Sequence, residues 1–232
     1  MKRPENKKPF QIGTTMESCI DHYWRLKLET CKKALEKNDF EVFLAQDANH
    51  AKKIILEEIL PGLSVRSVSW GDSMTLISTD VLDIFRTNPE VHFVETFDDS
   101  LSREERYERR RQALLVDLFF TGTNALPLSG QLVNLDMVGN RVGGITFGPR
   151  HVVITVGRNK IVTDLQQAMD RIKQYAAPIN ALRHSFKTPC TETGHCTDCT
   201  SPDRICNVWT ITERSFPKGR IKIILINKDL GL

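Results

Sequence analysis

Short apolar runs alternate along the chain with segments of helical periodicity. Strands are predicted at 40–45, 65–70 and 91–96, with helices at 15–37, 48–60, 71–85 and 103–120 around them. The helix over 71–85 could be broken near Ser78. The run at 221–227, Ile-Lys-Ile-Ile-Leu-Ile-Asn, has the strongest strand pattern in the chain. Helices that alternate with strands at this spacing predict crossover units. We therefore expect an α/β fold with a Rossmann-like, mostly parallel sheet and flanking helices.

In the second half of the chain the regular alternation of helices and strands gives way to more strands and turns. Strands are predicted at 131–135, 151–156 and 208–212. The turn chemistry of Val138-Gly-Asn-Arg predicts a hairpin, with residues 141–147 as its returning strand. Thr163 with Gln166 predicts the start of a helix that runs over 164–176 and ends at Pro178. No internal repeat or low-complexity linker divides the chain. We expect a flexible N-terminus at 1–14 and one domain at 15–232, with a helical N-terminal extension.

Composition excludes several classes of function. Apolar residues make up 40% of the chain and charged residues 26%, which is ordinary for a globular protein with a full core. The net charge of +3 does not indicate a nucleic-acid partner, and the Arg109–Arg111 run is expected on a solvated helix face. No apolar run reaches the length of a membrane span, and no apolar signal core follows the basic first residues. We expect a cytoplasmic protein without membrane insertion.

Four of the six cysteines lie in one polar loop at 189–207, with the spacing C-x5-C-x2-C-x6-C: Cys190, Cys196, Cys199 and Cys206. The residues between them are turn formers, which cannot close a loop by burying apolar surface. Thiols stay reduced in the cytoplasm, so a metal centre is favoured over two disulfides. A single C-x2-C knuckle with two separate flanking thiols favours a [4Fe-4S] cluster, with zinc as the second candidate and no metal as the third. His195 could replace one thiolate. Cys19 and Cys31, on the first helix, are expected to be small buried residues.

Two loops could contribute to a ligand-binding site. In Trp70-Gly-Asp-Ser-Met-Thr, Gly71 permits a tight turn, and Ser73 and Thr75 offer hydroxyls beside helix amides that suit a phosphate or carboxylate. An ordinary helix cap is the alternative there. In Phe120-Thr-Gly-Thr-Asn-Ala, a helix is expected to end and a strand to begin, with Gly122 as the turn and Asn124 as a hydrogen-bonding group. A plain helix C-cap is the alternative in this second loop.

A third loop, Gly157-Arg-Asn-Lys, follows the predicted buried strand at 151–156. Ligands of open parallel sheets bind beyond the carboxyl ends of the strands. Arg158, Asn159 and Lys160 could hold an anion there, and a solvated loop is the alternative. No dinucleotide, Walker, nucleophile-elbow or zinc-protease motif is present, and no catalytic acid or base stands out; Asp136 and Arg141 flank the predicted hairpin.

Taken together, these segments resemble the lactate-utilization (LUD) domain family, DUF162, which includes the LutC and YkgG proteins. The residues that carry the resemblance are Gly71–Thr75, Thr121–Ala125, Gly139-Asn-Arg-Val, Gly157-Arg-Asn-Lys, Ala177-Pro-x-Asn-Ala around Asn180, the four-cysteine loop and Leu230-Gly-Leu. The resemblance covers about residues 15–232. The cysteine loop places the chain in a subset, because shorter LutC-type members lack such a loop.

The resemblance implies a fold like the NagB/RpiA/CoA-transferase group, with a ligand crevice at the strand ends and Gly71–Thr75 as an anion-binding loop. It also implies a role in oxidising L-lactate to pyruvate, within an iron–sulfur system whose other redox subunits are the expected partners. A small carboxylate or phosphate is the expected ligand, and assembly into an oligomer stays open. Three functions compete: an iron–sulfur subunit or accessory factor of such a system, an isomerase- or transferase-like enzyme with a structural zinc, and a non-catalytic partner of redox subunits.

Overall fold

The computed structural model describes residues 15–232, which are built around a six-stranded sheet in which every pair of neighbouring strands is parallel. Its order is β1-β10-β7-β4-β2-β3. The strands are β1 (Glu41–Ala45), β2 (Ser67–Trp70), β3 (His92–Val94), β4 (Leu118–Gly122), β7 (His151–Gly157) and β10 (Ile221–Ile226). The α/β prediction with a mostly parallel sheet is therefore confirmed.

Alternation along the central strands divides the core into two layers. Phe119 and Val152 face one side of the sheet, while Leu118, Phe120 and Val153 face the other. The first layer is covered by α1 (Met16–Lys37) and α6 (Asn140–Thr146). The second is covered by α2 (Ala48–Lys53), which continues as π-helical Ile54–Ile59, and by α3 (Met74–Ile77) and α4 (Val81–Thr87). Both faces of the sheet are buried, as parallel sheets require.

A smaller unit packs beside the sheet. Strands β6 (Leu132–Asp136) and β9 (Val208–Thr212) form an antiparallel ribbon, and β5 (Leu126–Pro127) pairs with β8 (Ile161–Val162). The helical run α7 (Leu165–Arg171), π-helical Ile172–Ala176 and α8 (Ala177–Arg183) follows β8. Val133, Ala168 and Ile172 form a third apolar cluster beneath the ribbon. The short helix α9 (Pro189–Thr193) opens the cysteine loop.

Helix starts follow the polar capping residues. The side chains of Thr15, Asp47 and Asp164 each accept a hydrogen bond from a backbone amide three residues on. Ser102 and Glu105 form the predicted capping box of α5 (Arg103–Gln112). The cap of α7 is thus Asp164 and not Thr163, because the Asp164 carboxylate takes the Gln167 amide. Pro178 does not end the helical run, because it lies in the first turn of α8. Backbone amides in a first turn form no hydrogen bond within the helix, so a proline is tolerated there.

Two predicted elements are wrong. The helix predicted at 103–120 stops at Gln112, and Leu118–Gly122 is a strand; residues 113–115 form a 3₁₀ turn between them. All five residues of β4 are buried, so the strand lacks the alternation that separates a strand from a helix in a sequence. The hairpin at 138–141 is also absent, because Gly139 takes a positive φ of 94° and leads into helix α6 instead of a returning strand.

Further expectations concern the two isolated cysteines, membrane spans and the N-terminus. Cys31 is buried in the core, as predicted, whereas Cys19 is exposed and its predicted burial is wrong. None of the helices within residues 15–232 is long and apolar enough to cross a membrane. The predicted flexible segment, 1–14, lies outside the described residues.

The contact between α1 and the loop after β5 gives a first prediction. Gly130 has a φ of 84°, and a Cβ there would lie 2.7 Å from the backbone carbon of Ala34. Gly139 has a φ of 94° but an open surrounding. We expect Gly139→Ala to lower the free energy of unfolding by about 1 kcal/mol through backbone strain alone, and Gly130→Ala to lower it by about 3 kcal/mol through strain plus collision. Urea denaturation measures both, and equal losses would contradict the close approach.

Candidate functional site

A crevice of about 950 Å³ opens at the carboxyl ends of β2 and β4. The chain runs outward from β2 to β3, then returns to place β4, β7 and β10 on the other side of β2. This reversal leaves a gap between the connections that leave β2 and β4, which is where ligands bind in open α/β sheets. The volume lies within the range of small-molecule sites.

Five of the ten predicted ligand-binding residues line the crevice: Ser73, Gly122, Asn124, Lys160 and Asn180. The other five do not line it: Gly71, Thr75, Gly157, Arg158 and Asn159. Ser73 caps the amide of Leu76. Helix α3 has only four residues, so this loop does not present a long helix N-terminus to an anion.

The residues behind the crevice wall hold the closing segment of the chain. The hydroxyl of Thr75 donates to the carbonyl of Leu230 at 2.9 Å. The Asn159 side chain accepts from the Leu230 amide at 3.1 Å and donates to the Gly231 carbonyl at 3.1 Å. A Cβ on Gly157 would lie 2.6 Å from the Leu230 carbonyl oxygen. The Gly157-Arg-Asn-Lys and Leu230-Gly-Leu segments therefore bind each other.

Arg158 points away from the crevice. Its guanidinium donates to Asp229 at 2.9 Å and to Asn227 at 3.3 Å, and it stacks over the ring of Trp24. It therefore links the end of β10 to helix α1.

Arg141 ties together the polar ends of two strands beneath the crevice floor. Its guanidinium donates to Asn134 at 2.6 Å, to Asn124 at 2.8 Å and to Asp136 at 3.2 Å. It also donates to the carbonyls of Gly122 and Leu135. The two asparagine side chains accept further bonds from the Asn124 and Leu135 amides. Buried guanidinium groups are stable only when such partners replace water.

Three polar atoms in or beside this network are buried and have no hydrogen-bond partner within the described residues. They are the second carboxylate oxygen of Asp136, the side-chain nitrogen of Asn134 and the hydroxyl of Thr121. Asp136 lines the crevice. Buried polar atoms are normally satisfied, so a free carboxylate oxygen beside a cavity marks a place where a ligand atom or water can bind.

Lys160 is the most perturbed group in the crevice. Its side chain is only 5% exposed. Burial lowers the pKa of Lys160 to about 7, and the nearby guanidinium groups of Arg171 and Arg141 add to the effect. No carboxylate within residues 15–232 is among the groups that shift the pKa of Lys160. The amine therefore has an uncharged population near neutral pH, and a strong pKa shift of this kind is typical of functional lysines.

The crevice rim holds charged residues that the sequence analysis missed. Arg103, Arg106 and Arg110 line it from one face of α5. Their spacing of three and four residues could have indicated this shared face. Arg110 lies against the rings of Phe97 and Tyr107, so the assignment of the whole Arg109–Arg111 run to solvent was wrong.

Asp72 links the two walls of the crevice mouth. It pairs with Arg183 and His184 at the end of α8, the histidine nitrogen lying 3.1 Å from the carboxylate. Burial works to raise the pKa of Asp72, but the hydrogen bonds from His184 and Arg183 outweigh burial and leave it below its usual value. Asp72 therefore stays charged at neutral pH and holds the loop after β2 against α8.

All four cysteines of the loop line a second, small cavity of about 20 Å³. The Asp198 amide lies 3.4 Å from the Cys196 sulfur, and the Thr188 hydroxyl lies 3.2 Å from the Cys190 sulfur. Burial raises the pKa of the Cys206 thiol; the Cys196 and Cys190 thiols raise it further, and nearby cations act in the opposite direction. His195 is exposed and does not line this cavity.

Cationic side chains brace the cysteine loop. Asp198 bonds to Lys173 at 2.6 Å and to Arg204 at 2.9 Å. Arg204 also donates to the carbonyls of Cys199 and Cys206. The polar loop is thus organised by charge-assisted hydrogen bonds.

The four cysteines are the right type of ligand for a four-thiolate metal centre. With the side chains as placed, no group of three or more Cys, His, Asp or Glu residues within 15–232 is arranged to hold a metal ion. The four thiols nevertheless share one cavity, so a bound centre requires rotation of the cysteine side chains. Four cysteines suit both tetrahedral zinc and an iron–sulfur cluster.

The two cavities share part of their walls. Ala177 and Ile205 line both the crevice and the cysteine cavity. The β6–β9 ribbon produces this proximity, because Val208 pairs with Asp136 and the Asn207 amide donates to the Asp136 carbonyl. The cysteine loop therefore forms one side of the crevice.

Comparison with known proteins bears on the whole chain. Residues 28–226 match the model of the LUD domain. The chain belongs to the LUD domain family. Among solved structures it is similar to a DUF162 family protein from Deinococcus radiodurans, with 12% identity, coverage of 88% of this chain and 98% of that chain, and a TM-score of 0.46. No curated protein matches this LUD-domain chain.

Lys160 generates a prediction for stability against pH. The folded state holds the amine with a pKa of about 7, below the 10.5 of an exposed lysine, so the unfolded chain binds more protons between these two pH values. The cost of burying the amine is largest below pH 7 and falls as pH rises toward 10. We expect Lys160→Met to melt roughly 4–8 °C above wild type at pH 6, with the gap closing by pH 10.

Lys222 supplies the matched control for this measurement. It is also buried, at 6% exposure, but its amine lies 3.1 Å from the Glu41 carboxylate. Lys222→Met should give no gain at pH 6, because it removes an ion pair. A pH-independent gap for Lys160→Met in calorimetry, or a lower melting temperature at pH 6, would show that Lys160 is not buried as an unpaired amine.

Proposed function

We propose that this LUD-domain protein is a metal-containing component of an oxidation system for L-lactate or a related 2-hydroxy acid. In this proposal Cys190, Cys196, Cys199 and Cys206 hold a [4Fe-4S] cluster, and the crevice binds the small carboxylate. The observation that supports it is the shared wall: Ala177 and Ile205 separate the crevice from a cavity lined by all four thiols. When bound, the cluster would supply one-electron transfer.

The residues of the chain have separate tasks in this proposal. The guanidiniums of Arg103 and Arg110, which line the crevice, attract a carboxylate into it. The hydroxyl of Ser73 and the amide of Asn180 orient it by hydrogen bonds. Asp136 has a free carboxylate oxygen that can accept a proton from a hydroxyl group. Lys173 and Arg204 offset the negative charge of the thiolates.

In a second candidate function, the crevice still binds the ligand but the cysteines hold zinc in place of an iron–sulfur cluster. The cysteine cavity of about 20 Å³ has room for about one water-sized body, which favours a single ion in this conformation of the loop. A cluster requires the loop to open around it. With zinc, the metal would be structural, and the protein would be an isomerase- or transferase-like enzyme acting on a carboxylate or phosphate in the crevice.

Metal analysis of the intact chain tests the proposal. Protein purified without oxygen should be brown, contain iron and acid-labile sulfide in about four copies each, and lose visible absorbance with dithionite. Cys199→Ser should lose most of the cluster, because it removes one of the thiols lining the cavity. Cys19→Ser is the matched control, since Cys19 is exposed on α1 and should leave the metal content unchanged.

The outcomes separate the candidates. A colourless protein with one zinc per chain, lost in Cys199→Ser, would refute the cluster and support the second candidate. A protein without iron or zinc, prepared without oxygen or chelator, would refute both metal assignments.

A further inference from the structure

The environment of Lys160 differs from that of a lysine that anchors an anion. Lys160 lines the crevice, and a Cβ added to the neighbouring Gly231 would lie 3.3 Å from the Lys160 amine nitrogen. The charges that act on it are the guanidiniums of Arg171 and Arg141, both positive. Lys222 is about equally buried, but its amine has polar partners, the Glu41 carboxylate and the Gly219 carbonyl. Such partners are usual for a buried charged amine. A buried amine kept beside other cations is the arrangement that activates a lysine as a nucleophile.

Hydrogen bonds hold both guanidiniums near Lys160 in place. Arg141 is held by the two asparagines and Asp136. Arg171 donates to the carbonyls of Asn159 and Asn124, at 3.1 and 2.8 Å. Asn159 in turn holds Leu230 and Gly231 against the same wall. Neither guanidinium can move away to let a protonated amine be solvated without breaking these bonds.

We propose that the Lys160 amine is a nucleophile that forms an imine with the carbonyl carbon of a small 2-oxo carboxylate in the crevice. Arg103 and Arg110 line the same crevice, and their positive charge favours a ligand that carries a carboxylate beside its carbonyl group. The choice of a 2-oxo acid rests on the proposed function, because oxidation of a 2-hydroxy acid yields a 2-oxo acid. The nucleophilic role rests on the surroundings of Lys160 alone.

The reaction balances without an oxidant or reductant. The nitrogen lone pair attacks the carbonyl carbon, a C–N bond forms, and the carbonyl oxygen takes one proton from nitrogen to give a carbinolamine. That oxygen then leaves as water with a second proton from nitrogen, which breaks the C–O bond. One amine and one carbonyl give one imine and one water.

Trapping by reduction tests the proposal on the full chain. Wild-type protein is incubated at pH 7 with pyruvate and cyanoborohydride, and labelled lysines are located by peptide mass spectrometry. We expect one added reduced pyruvate group per chain, on Lys160. With a pKa of about 7, about half of Lys160 is neutral at that pH, against roughly 1 in 2,500 for an ordinary lysine. Lys160 should therefore be labelled at least about 100-fold faster than Lys222 or any surface lysine.

Three controls make the result decisive. L-Lactate has no carbonyl group and should give no label. Lys160→Met should abolish the single fast label, and its circular dichroism shows whether it folds. If this variant does not fold, competition decides: excess glyoxylate should suppress pyruvate labelling of wild-type Lys160, and an unaffected rate would overturn a specific site.

The contradicting outcomes do not depend on the metal. Failure of pyruvate and glyoxylate to label Lys160, or labelling at the same slow rate as surface lysines, would overturn the proposal. A chain that contains zinc or no metal but still labels at Lys160 would refute the iron–sulfur proposal and leave the imine intact. A brown, iron-containing chain without a label on Lys160 would support the iron–sulfur proposal and refute the imine.

Discussion

The hydrogen bonds of Arg141 are the constraint on which the crevice depends. One guanidinium joins Asn124, after β4, to Asn134 and Asp136 of β6. Within residues 15–232, no other cation forms an ion pair with Asp136. A buried guanidinium deprived of its partners costs several kcal/mol. The network fixes the floor of the crevice before any ligand arrives. It also places a positive charge near Lys160, which adds to the effect of burial in lowering the pKa of that amine.

The same region shows how far the sequence could predict the structure. Strands with a clear boundary, such as β7 and β10, and helices with polar caps were predictable because the signals are local. Strand β4 was not, since a fully buried strand has no alternation. The role of Arg141 was hidden for a different reason: its partners lie up to 19 residues away and meet it only in three dimensions.

The candidate site was predictable in part for similar reasons. Ser73, Gly122, Asn124, Lys160 and Asn180 line the crevice, and glycine or polar residues at the ends of apolar runs indicated them. The arginine face of α5 was missed because its residues were taken as a charged run and not as one face. The shared wall at Ile205 follows from pairing of β6 with β9, which no local pattern encodes. The shape of the crevice therefore depends on the order of the cysteine loop.

This dependence is the central claim, and ligand binding to the metal-loaded and metal-free protein tests it most directly. Calorimetry would give the dissociation constant of pyruvate for the chain as purified without oxygen and for the same chain after chelation. Because Ile205 and Ala177 line both cavities, removing the metal should weaken pyruvate binding by about tenfold, a coupling of about 1.4 kcal/mol. Equal dissociation constants in the two forms would contradict a crevice whose wall is set by the cysteine loop.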